Sequence, residues 1–526
     1  MLTRTWAPTV RFPEAEALTT ATPALLADRG RAEGTRPRVV DGTTLLDTDG
    51  LLAAVAAQQA RLRAAGVRRG DVVGVQLPNW WEAVATFHAL WGMGAVVCPI
   101  PSNHRTAELA RILAACDLAA VVAPARHRGT RHPEMIRAAA ERAGADVPVL
   151  TVRDPDAAAP APRAAAEPEL DAGLDDVCVL MFTSGTTGTP KGVLHSHRTL
   201  LADAWSIARL FRLDGDRVYM PSPLGHITGL VYGVMMPLLI DGSVVLQAEW
   251  DAAAGVDIVE ANACTFSVGA TPFLRGLCDE YARRGVASSL TGFVCGGADV
   301  PPALVRRAAE VLDAVVVRAY GLTEMPTVTC GGPDDPDHIR QDTDGRLTGS
   351  SQARLASPVN GVGELEVRGP ELCLGYLDPA HTAEAFTADG WFRTGDLATI
   401  SPDGGITIAG RAKDIIVRGG ENIGVKEIEH YLLDHPAVAD VAVVGVPDDV
   451  LGERACAFVV AAESAPPPTL RELTEFLLGF EIAKHKLPEY LLVTDRLPRT
   501  ESGKIQKFLL RETAVRELGA GRGERR

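Results

Sequence analysis

Apolar positions recur along the first half of the chain with two different spacings. In the stretches 47–66, 80–94 and 197–211 they return every three to four residues, which predicts helices that bury one face. Between them stand short runs such as DVVGVQ, AVVCPI and LAAVVAP, which are typical of buried strands. Because strands and helices alternate, the pattern predicts parallel sheets covered by helices.

The pattern changes from about residue 360 onwards. VGELEVRG, GGITIAG and DIIVRGG predict short strands separated by glycines, which favours antiparallel structure. After Gly410 the order helix, strand, strand, helix predicts a small α+β domain. We therefore place a domain boundary near Arg411–Lys413, and we assign the Pro- and Ala-rich stretch 154–175 to a surface linker.

Composition narrows the classes of function. The net charge of −15 over 526 residues argues against non-specific nucleic-acid binding, so an anionic ligand would need local basic groups. The apolar run 230–240 is too short to span a bilayer and the N-terminus has no apolar signal-peptide core, which predicts a cytoplasmic protein. The nine cysteines are scattered without a C-x-x-C pair and are expected to be reduced core residues.

The stretch MFTSGTTGTPKGVLHSH, residues 181–197, concentrates small residues, hydroxyls and one lysine. Glycines let backbone N–H groups approach an anion, while hydroxyls and Lys191 add donors and charge. It departs from the pattern G-x-x-x-x-G-K-[ST] because Gly192 follows the lysine. Only seven of the 52 basic residues are lysines, and Lys191 and Lys504 both lie in glycine-containing loops, which indicates that the compact charge of lysine matters there.

Three further stretches carry candidate chemistry. AYGLTE follows a Val-rich strand, so the ring of Tyr320 could stack on a base while Thr323 and Glu324 offer hard oxygen ligands to Mg2+. Taken alone, it is also typical of a turn that caps a helix. In WFRTGD, Asp396 is expected at the end of a glycine turn, where it could accept both hydroxyls of a ribose, although taken alone it is also typical of an ordinary turn residue. PRTESGKIQK is a polar loop around Lys504.

Five motifs in this order, FTSGTTGTPKG, YGLTE, WFRTGD, GRAKDIIVRGGENIGVKEIE and PRTESGKIQK, resemble the signatures of the AMP-forming acyl-CoA synthetases within the adenylate-forming superfamily. The resemblance covers roughly residues 30–515. It implies an α/β fold with a large N-terminal domain, residues 1–411, of stacked α/β sheets and a β-rich subdomain. A small, mobile α+β C-terminal domain, residues 412–526, would follow the hinge at Lys413 and carry the catalytic lysine.

The resemblance also implies roles for individual residues. Lys504 would reach the carboxylate and α-phosphate oxygens, and Thr323 and Glu324 would serve the α-phosphate and Mg2+. The other residues expected to bind ATP are Thr183, Ser184, Gly185, Thr186, Thr187, Gly188 and Lys191 at the β- and γ-phosphates, Gly296, Gly297, Ala298 and Tyr320 at the adenine, and Asp396 and Arg411 at the ribose.

The acid and the thiol would bind to other segments. Small residues in the expected acyl pocket suggest room for a bulky apolar acid, which could be fatty, alicyclic, aryl or terpenoid; the segment SPLGHITGLVYGVMMP most resembles ligases for alicyclic acids. The expected pocket residues are His226, Gly229, Tyr232, Gly269, Ala319, Gly321, Pro326 and Thr327. Gly419, Gly420 and Glu421 would line the tunnel for the pantetheine arm of CoA.

The implied activity is an ATP-dependent carboxylate–CoA ligation through an acyl-adenylate, with ATP, Mg2+ and CoA. A stand-alone adenylation enzyme that loads a carrier protein's phosphopantetheine is the main alternative, since the core motifs do not separate the two thiols. A luciferase-like oxygenase is a third interpretation. A catalytically inactive acyl-binding protein is disfavoured by the intact Lys504, Glu324 and Asp396. The region 340–363 is shorter than is usual in the family.

Overall fold

The computed structural model describes residues 18–31, 38–153, 167–183, 190–297, 300–359, 361–411, 416–418, 421–448, 451–463, 465–480, 482, 484–499, 505–519 and 524–525. The chain divides into two compact units. The first comprises Met1–Gln352 and Arg368–Phe392, and the second comprises Ala353–Val367 and Arg393–Arg526. The functional domain boundary expected near residue 411 stays a prediction.

Several helices begin at a side chain that caps the first turn. Asp47 accepts a hydrogen bond of 2.8 Å from the N–H of Gly50 and starts the helix at Thr48. The helix at His197 begins with a capping box, in which the side chains of Ser196 and Thr199 each accept from the other's backbone N–H. The helices are α1 (Thr22–Arg31), α2 (Thr48–Ala64), α3 (Trp81–Gly92), α4 (Thr106–Ala115), α5 (His132–Ala143), α6 (His197–Phe211), α7 (Ile227–Leu230), α8 (Met236–Leu239), α9 (Ala252–Ala261), α10 (Thr271–Arg284), α11 (Pro302–Leu312), α12 (Asp337–Asp342), α13 (Pro379–Ala385), α14 (Val425–Leu433), α15 (Leu470–Leu478) and α16 (Lys507–Gly519). 

A π-helical turn, Val231–Met235, joins α7 to α8, and a 3-10 turn covers Lys484–Lys486. The strands are β1 (Val39–Asp41), β2 (Thr44–Leu46), β3 (Val72–Val75), β4 (Val96–Pro99), β5 (Ala120–Pro124), β6 (Arg126–His127), β7 (Thr130–Arg131), β8 (Val149–Val152), β9 (Val177–Thr183), β10 (Lys191–Ser196), β11 (Arg217–Met220), β12 (Ser243–Leu246), β13 (Phe266–Gly269), β14 (Gly292–Cys295), β15 (Val315–Leu322), β16 (Met325–Cys330), β17 (Arg346–Leu347), β18 (Gln352–Val359), β19 (Val362–Arg368), β20 (Phe392–Ile400), β21 (Ile406–Arg411), β22 (Ile416–Arg418), β23 (Glu421–Ile423), β24 (Val438–Asp448), β25 (Gly452–Ala461), β26 (Tyr490–Val493) and β27 (Glu524–Arg525).

Two large, mainly parallel sheets form the first unit. One has the order β17-β16-β15-β14-β13-β11-β12-β1-β2. Six neighbouring strands of this sheet, β15-β14-β13-β11-β12-β1, pair in parallel. The other has the order β10-β9-β4-β3-β5-β8 and is parallel except for the hairpin of β9 and β10. Every residue of β3, β4 and β5 is buried, as expected for strands covered by helices on both faces.

The second unit contains two smaller sheets. A four-stranded sheet has the order β18-β19-β20-β21, with β20 and β21 antiparallel. The other sheet has the order β23-β22-β25-β26-β27, and β24 pairs with β25 over a long antiparallel register. Its core is formed by residues such as Ile428, Val443 and Leu473, which are fully buried. The helix, strand, strand, helix order predicted from the sequence is confirmed by α14, β24, β25 and α15.

Other sequence predictions can be checked directly. The three predicted helices are confirmed as α2, α3 and α6, and the alternating strands as β3, β4 and β5. All nine cysteines lie within the described residues as free thiols, and all but Cys116 are buried. Among the residues that the structure describes, every helix is too short or too polar to cross a bilayer.

Candidate active site

A β-hairpin presents the AYGLTE residues at the end of the nine-stranded sheet. Strand β15 folds back as β16, with Tyr320 opposite Thr329 and Leu322 opposite Met325, so that Thr323 and Glu324 form the tip. The chain therefore continues as a strand, and the alternative interpretation of this turn as a helix cap is excluded. The reason is a register shift at Gly321, which lets the hairpin close.

Gly321 is required by the closeness of the two strands. A Cβ atom added there would lie 1.8 Å from the carbonyl oxygen of Pro326, so any side chain would force the hairpin apart. Two residues predicted for the acyl pocket, Gly321 and Pro326, thus contact each other through the hairpin itself.

The carboxyl ends of three neighbouring parallel strands meet beside this hairpin. The N–H of Gly296, just after β14, donates a 3.1 Å hydrogen bond to the carbonyl of Gly269 at the end of β13. A Cβ on Gly296 would lie 2.7 Å from the carbonyl oxygen of Ala319 in β15. Gly297 has a φ of +77°, which turns the chain away from the sheet. The structure therefore brings together residues predicted for the adenine and acyl subsites at the strand ends where open α/β sheets bind ligands.

Lys191 lies next to the hairpin tip, with Tyr376 between them. The Nζ atom of Lys191 is 5.5 Å from the centre of the Tyr376 ring and 3.7 Å from Oε2 of Glu384. The Tyr376 hydroxyl donates a 2.5 Å hydrogen bond to Oε1 of Glu324. Burial and the charge of Glu324 raise the pKa of Tyr376, so its hydroxyl remains a donor.

Backbone contacts fix this neighbourhood from the side of β10. The N–H of Leu194 donates to the carbonyl of Gly375 at 2.9 Å, and the N–H of Leu377 donates to the carbonyl of Gly192 at 2.7 Å. The N–H of Cys373 donates to the Glu324 carbonyl at 2.7 Å. The segment around Tyr376 therefore joins the strand that follows the predicted phosphate loop to the turn that carries Thr323 and Glu324.

Three more predicted acyl-pocket residues lie in and around α7. His226 precedes the helix, Gly229 is within it, and Tyr232 lies in the π-helical turn that follows. A Cβ on Gly229 would lie 2.2 Å from the carbonyl oxygen of Pro223. This close backbone approach, rather than spare volume for an acid, accounts for glycine at that position. The N–H of His226 donates to the same Pro223 carbonyl at 3.0 Å.

Tyr232 and Thr327 share a buried acid that the sequence analysis did not identify. The Tyr232 hydroxyl donates to Oδ2 of Asp203 at 2.5 Å, and the N–H of Thr327 donates to Oδ1 at 2.7 Å. The two hydroxyls of Tyr232 and Thr327 also bond to each other. Burial, reinforced by the nearby Glu371, raises the pKa of Asp203 to about 8. The polar atoms of both pocket candidates are thus satisfied within the protein.

The predicted ribose residues belong to the second unit. Asp396 in β20 lies directly opposite Arg411 in β21, and Asp396 is buried. Asp396 lies within a strand rather than at the end of a turn, because the kink is confined to Gly395, whose φ is +71°. Glu421 begins β23, opposite Arg418. 

Thr183 ends β9, opposite Lys191 at the start of β10. Several other predicted residues lie outside the described residues: Ser184, Gly185, Thr186, Thr187, Gly188, Ala298, Lys413, Gly419, Gly420 and Lys504. Their roles stay predictions.

The chemistry of the hairpin tip fits a cation shared with phosphates. Across the described ranges, no group of three or more His, Cys, Asp or Glu side chains is arranged to hold a metal ion by itself. Mg2+ commonly binds through one or two carboxylates plus substrate phosphates. The Glu324 carboxylate, oriented by Tyr376, and the neighbouring Thr323 supply donors of that kind.

Together, the two α/β sheets, the glycine-lined strand ends and a lysine beside a carboxylate-bearing turn define an enzyme of the nucleotide-binding α/β class. Comparisons with known proteins agree. The AMP-binding enzyme family matches residues 27–377, and its C-terminal domain family matches residues 427–504. The chain therefore belongs to the AMP-binding enzyme family, among the AMP-forming acyl-CoA synthetases.

Individual relatives align over most of the chain. A medium-chain fatty-acid–CoA ligase from Escherichia coli (strain K12) is 36% identical over 475 residues, which are 86% of this chain and 83% of the relative. The 2-hydroxy-7-methoxy-5-methyl-1-naphthoate–CoA ligase of Streptomyces carzinostaticus is 33% identical over 518 residues, 93% and 92% of the two chains. ATP-bound MatB from Rhodopseudomonas palustris superposes with a TM-score of 0.82 at 27% identity, covering 94% of this chain and 99% of MatB.

Proposed function

We propose that the protein is an ATP-dependent carboxylate–CoA ligase that converts a hydrophobic acid into its thioester through an acyl-adenylate. The observation that carries the proposal is the bridge from Lys191 through Tyr376 to Glu324. It sets a cationic group from the phosphate-loop strand beside the carboxylate of the hairpin tip. A triphosphate lying along this line would meet positive charge at one end and the Thr323–Glu324 turn at the other.

In the first half-reaction, a carboxylate oxygen of the acid attacks the α-phosphorus of ATP, and the bond to the pyrophosphate oxygen breaks. Lys191 holds the departing pyrophosphate, and Lys504 neutralises charge on the attacking carboxylate and the α-phosphate. Asp396 and Arg411 bind the ribose, while Gly296, Gly297 and Tyr320 frame the adenine. The products are an acyl-adenylate and pyrophosphate.

Glu324 and Thr323 would hold Mg2+. When bound, the ion supplies positive charge that screens the phosphate oxygens. Tyr376 keeps the Glu324 carboxylate oriented towards the site through its hydroxyl.

In the second half-reaction, the thiol of CoA attacks the acyl carbon and AMP leaves. We place the C-terminal domain at 412–526, with Lys413 as its hinge and Gly419, Gly420 and Glu421 along the path of the pantetheine arm. Rotation of this domain would withdraw Lys504 after adenylation. Because ATP and CoA are metabolites of the cell interior, we propose a cytoplasmic site of action.

A hydrophobic acid is favoured because the hydroxyls of two pocket candidates are already hydrogen-bonded within the protein. The hydroxyls of Tyr232 and Thr327 are both engaged with Asp203 or with each other. A polar or charged acid would have to break those buried hydrogen bonds, which is costly. Fatty, alicyclic, aryl and terpenoid acids remain the candidate classes.

The proposal is tested by pyrophosphate release from ATP with hexanoate, decanoate, cyclohexanecarboxylate, benzoate and malonate, each with and without CoA. We expect release with one or more of the apolar acids, little with malonate, and an acyl-CoA thioester when CoA is present. Glu324→Gln should reduce the rate at least about 100-fold. The matched control is Glu384→Gln, because Glu384 is 74% exposed and its 3.7 Å ion pair with Lys191 is weak.

Absence of pyrophosphate release with every acid, from protein that binds ATP, would refute the ligase assignment. Pyrophosphate release without formation of an acyl-CoA thioester would indicate that the acyl acceptor is a carrier-protein phosphopantetheine rather than CoA.

A further inference from the structure

Strand β10 carries a buried histidine that reaches the hairpin tip. His195 is 0% exposed, and its Nε2 atom lies 2.8 Å from the carbonyl oxygen of Thr323. It stands four residues after Lys191 on the same strand. Neither half-reaction uses this side chain.

The hydrogen bonds of His195 define its protonation. A carbonyl oxygen only accepts, so the proton resides on Nε2 and is donated to Thr323. The other nitrogen, Nδ1, is 3.0 Å from the hydroxyl oxygen of Thr199, whose single proton is within reach of both Nδ1 and the Ser196 carbonyl. Burial lowers the pKa of His195 to about 4, so the ring is neutral near pH 7 and bonded on both sides.

The two partners of the ring belong to different parts of the fold. Thr199 is part of the capping box that starts α6, so Nδ1 is held by a rigid helix end. Thr323 lies at the hairpin tip, next to Glu324. The imidazole therefore reaches from the start of α6 to the turn. A histidine side chain has only two rotatable torsions, so little conformational freedom separates the two ends.

Besides the pairing of β15 and β16, three contacts between described residues reach the Thr323–Glu324 turn from outside the hairpin. Cys373 donates to the Glu324 carbonyl and Tyr376 donates to the Glu324 carboxylate. His195 supplies the third contact, and it comes from the strand that also carries Lys191. The imidazole is thus a direct side-chain link between the phosphate-loop strand and the turn.

We propose that His195 is a positioning residue that holds the Thr323–Glu324 turn at the distance from Lys191 at which both engage the same ATP molecule. This inference rests on the proposed function, because it assigns a nucleotide to the space that these residues border. His195 acts through Thr323 and contacts no reacting atom.

The chain provides a matched control two residues further on. His197 is also buried, and burial lowers its pKa to about 3. Its Nδ1 atom lies 2.9 Å from the Thr22 hydroxyl in α1, and its ring packs edge-on against Trp91. His197 thus shares the burial and neutrality of His195 but points to the N-terminal helix instead of the hairpin.

The test compares His195→Leu, His195→Gln and His197→Leu for adenylation rate, KM for ATP, melting temperature and Kd for ATP in the absence of acid. We expect His195→Leu to lower kcat for adenylation by about 10- to 100-fold and to weaken ATP binding, since small displacements of positioned groups cost rates of that order. His195→Gln should recover to within about 5-fold of wild type, because its side-chain amide can donate to the Thr323 carbonyl. His197→Leu should lower the melting temperature comparably while leaving kcat and Kd within about 3-fold of wild type.

Equal losses of kcat and ATP affinity in His195→Leu and His197→Leu would overturn the proposal, because they would indicate a shared loss of stability. Failure of His195→Gln to recover activity, in protein as stable as wild type, would also overturn it. If wild-type protein adenylates no acid, the ligase assignment fails, yet the ATP Kd values of the three variants still decide whether His195 positions the turn.

Discussion

The hydroxyl of Tyr376 connects the phosphate-loop side of the site to the carboxylate of Glu324. Removing it leaves Oε1 of a partly buried carboxylate without its donor, which costs about 1–3 kcal/mol. We predict that Tyr376→Phe lowers the adenylation rate by about 10-fold, while the buried ring keeps its packing. Pyrophosphate exchange measures the rate, and thermal unfolding verifies that the variant is folded. A folded Tyr376→Phe that adenylates at the wild-type rate would show that Glu324 needs no orientation from this residue.

Site residues that belong to a short contiguous motif could be predicted from the sequence as candidates for ATP binding. Thr323, Glu324 and Lys191 were found in this way. Tyr376 was not, because its role depends on a partner 52 residues away in the chain. His195 meets Thr323 across 128 residues, and no local pattern encodes that contact.

Asp203 illustrates the same limit. The apolar period of α6 predicts a helix at this position but no special role for Asp203. Its partners, Tyr232 in the π-helical turn and Thr327 in β16, are distant in sequence. The sequence does offer one signal, because Asp203 is the only acid in the mainly apolar run LLADAWSIA of this helix.

At the scale of elements, the hairpin of β15 and β16 determines the site. Its closure depends on the absence of a side chain at Gly321, where a Cβ would overlap the Pro326 carbonyl at 1.8 Å. We predict that Gly321→Ala displaces the tip, lowers adenylation by at least about 100-fold and destabilises the protein by about 2–4 kcal/mol, as overpacking of a close contact does. Chemical denaturation and pyrophosphate exchange measure the two effects.

The control for this prediction is Gly285→Ala. Gly285 ends α10 with a φ of +64°, but a Cβ there would meet no atom within 4 Å. It should therefore show only the strain of its backbone conformation, about 1 kcal/mol, with unchanged adenylation. Normal adenylation by Gly321→Ala would contradict the role assigned to the hairpin.

Helices were predictable where their amphipathic period is local, as in α2, α3 and α6. The hairpin was not, because AYGLTE has the composition of a helix-capping turn, and only pairing between residues 319–322 and 325–330 decides against it. Likewise, Asp396 was expected in a turn, since Gly395 is a turn residue by type, although β20 continues through it.

At the scale of the whole molecule, buried titratable groups shape stability against pH. Burial lowers the pKa of both His88 and His197 to about 3. Between about pH 6.5 and pH 3, these two histidines bind protons in the unfolded chain but not in the folded protein. The free energy of unfolding is therefore highest above about pH 6.5 and falls as the pH drops through that range. The slope is about 1.4 kcal/mol per pH unit for each such proton.

We predict that His88→Leu reduces the slope of the unfolding free energy against pH by about 1.4 kcal/mol per pH unit, the contribution of one proton. The free energy of unfolding is measured from pH 7 to pH 4.5. His338→Gln serves as the comparison, because it removes a histidine that is exposed rather than buried. An unchanged slope in His88→Leu would refute the role assigned to its burial.

Asp203 acts in the opposite direction. Its pKa is raised to about 8 in the folded protein, so it contributes stability at low pH that is lost as the pH rises from about 4 to about 8. We predict that Asp203→Asn, which can still accept from the N–H of Thr327, gains stability relative to wild type as the pH increases over that range. A stability difference that is constant from pH 5 to pH 9 would contradict the prediction.

The most direct test of the central claim identifies the products formed from ATP, CoA and an accepted apolar acid. Quantitative chromatography of the quenched reaction should yield AMP, pyrophosphate and acyl-CoA in equal amounts, because the acid attacks the α-phosphorus and the thiol then displaces AMP. ADP and inorganic phosphate formed in step with the thioester would contradict the account.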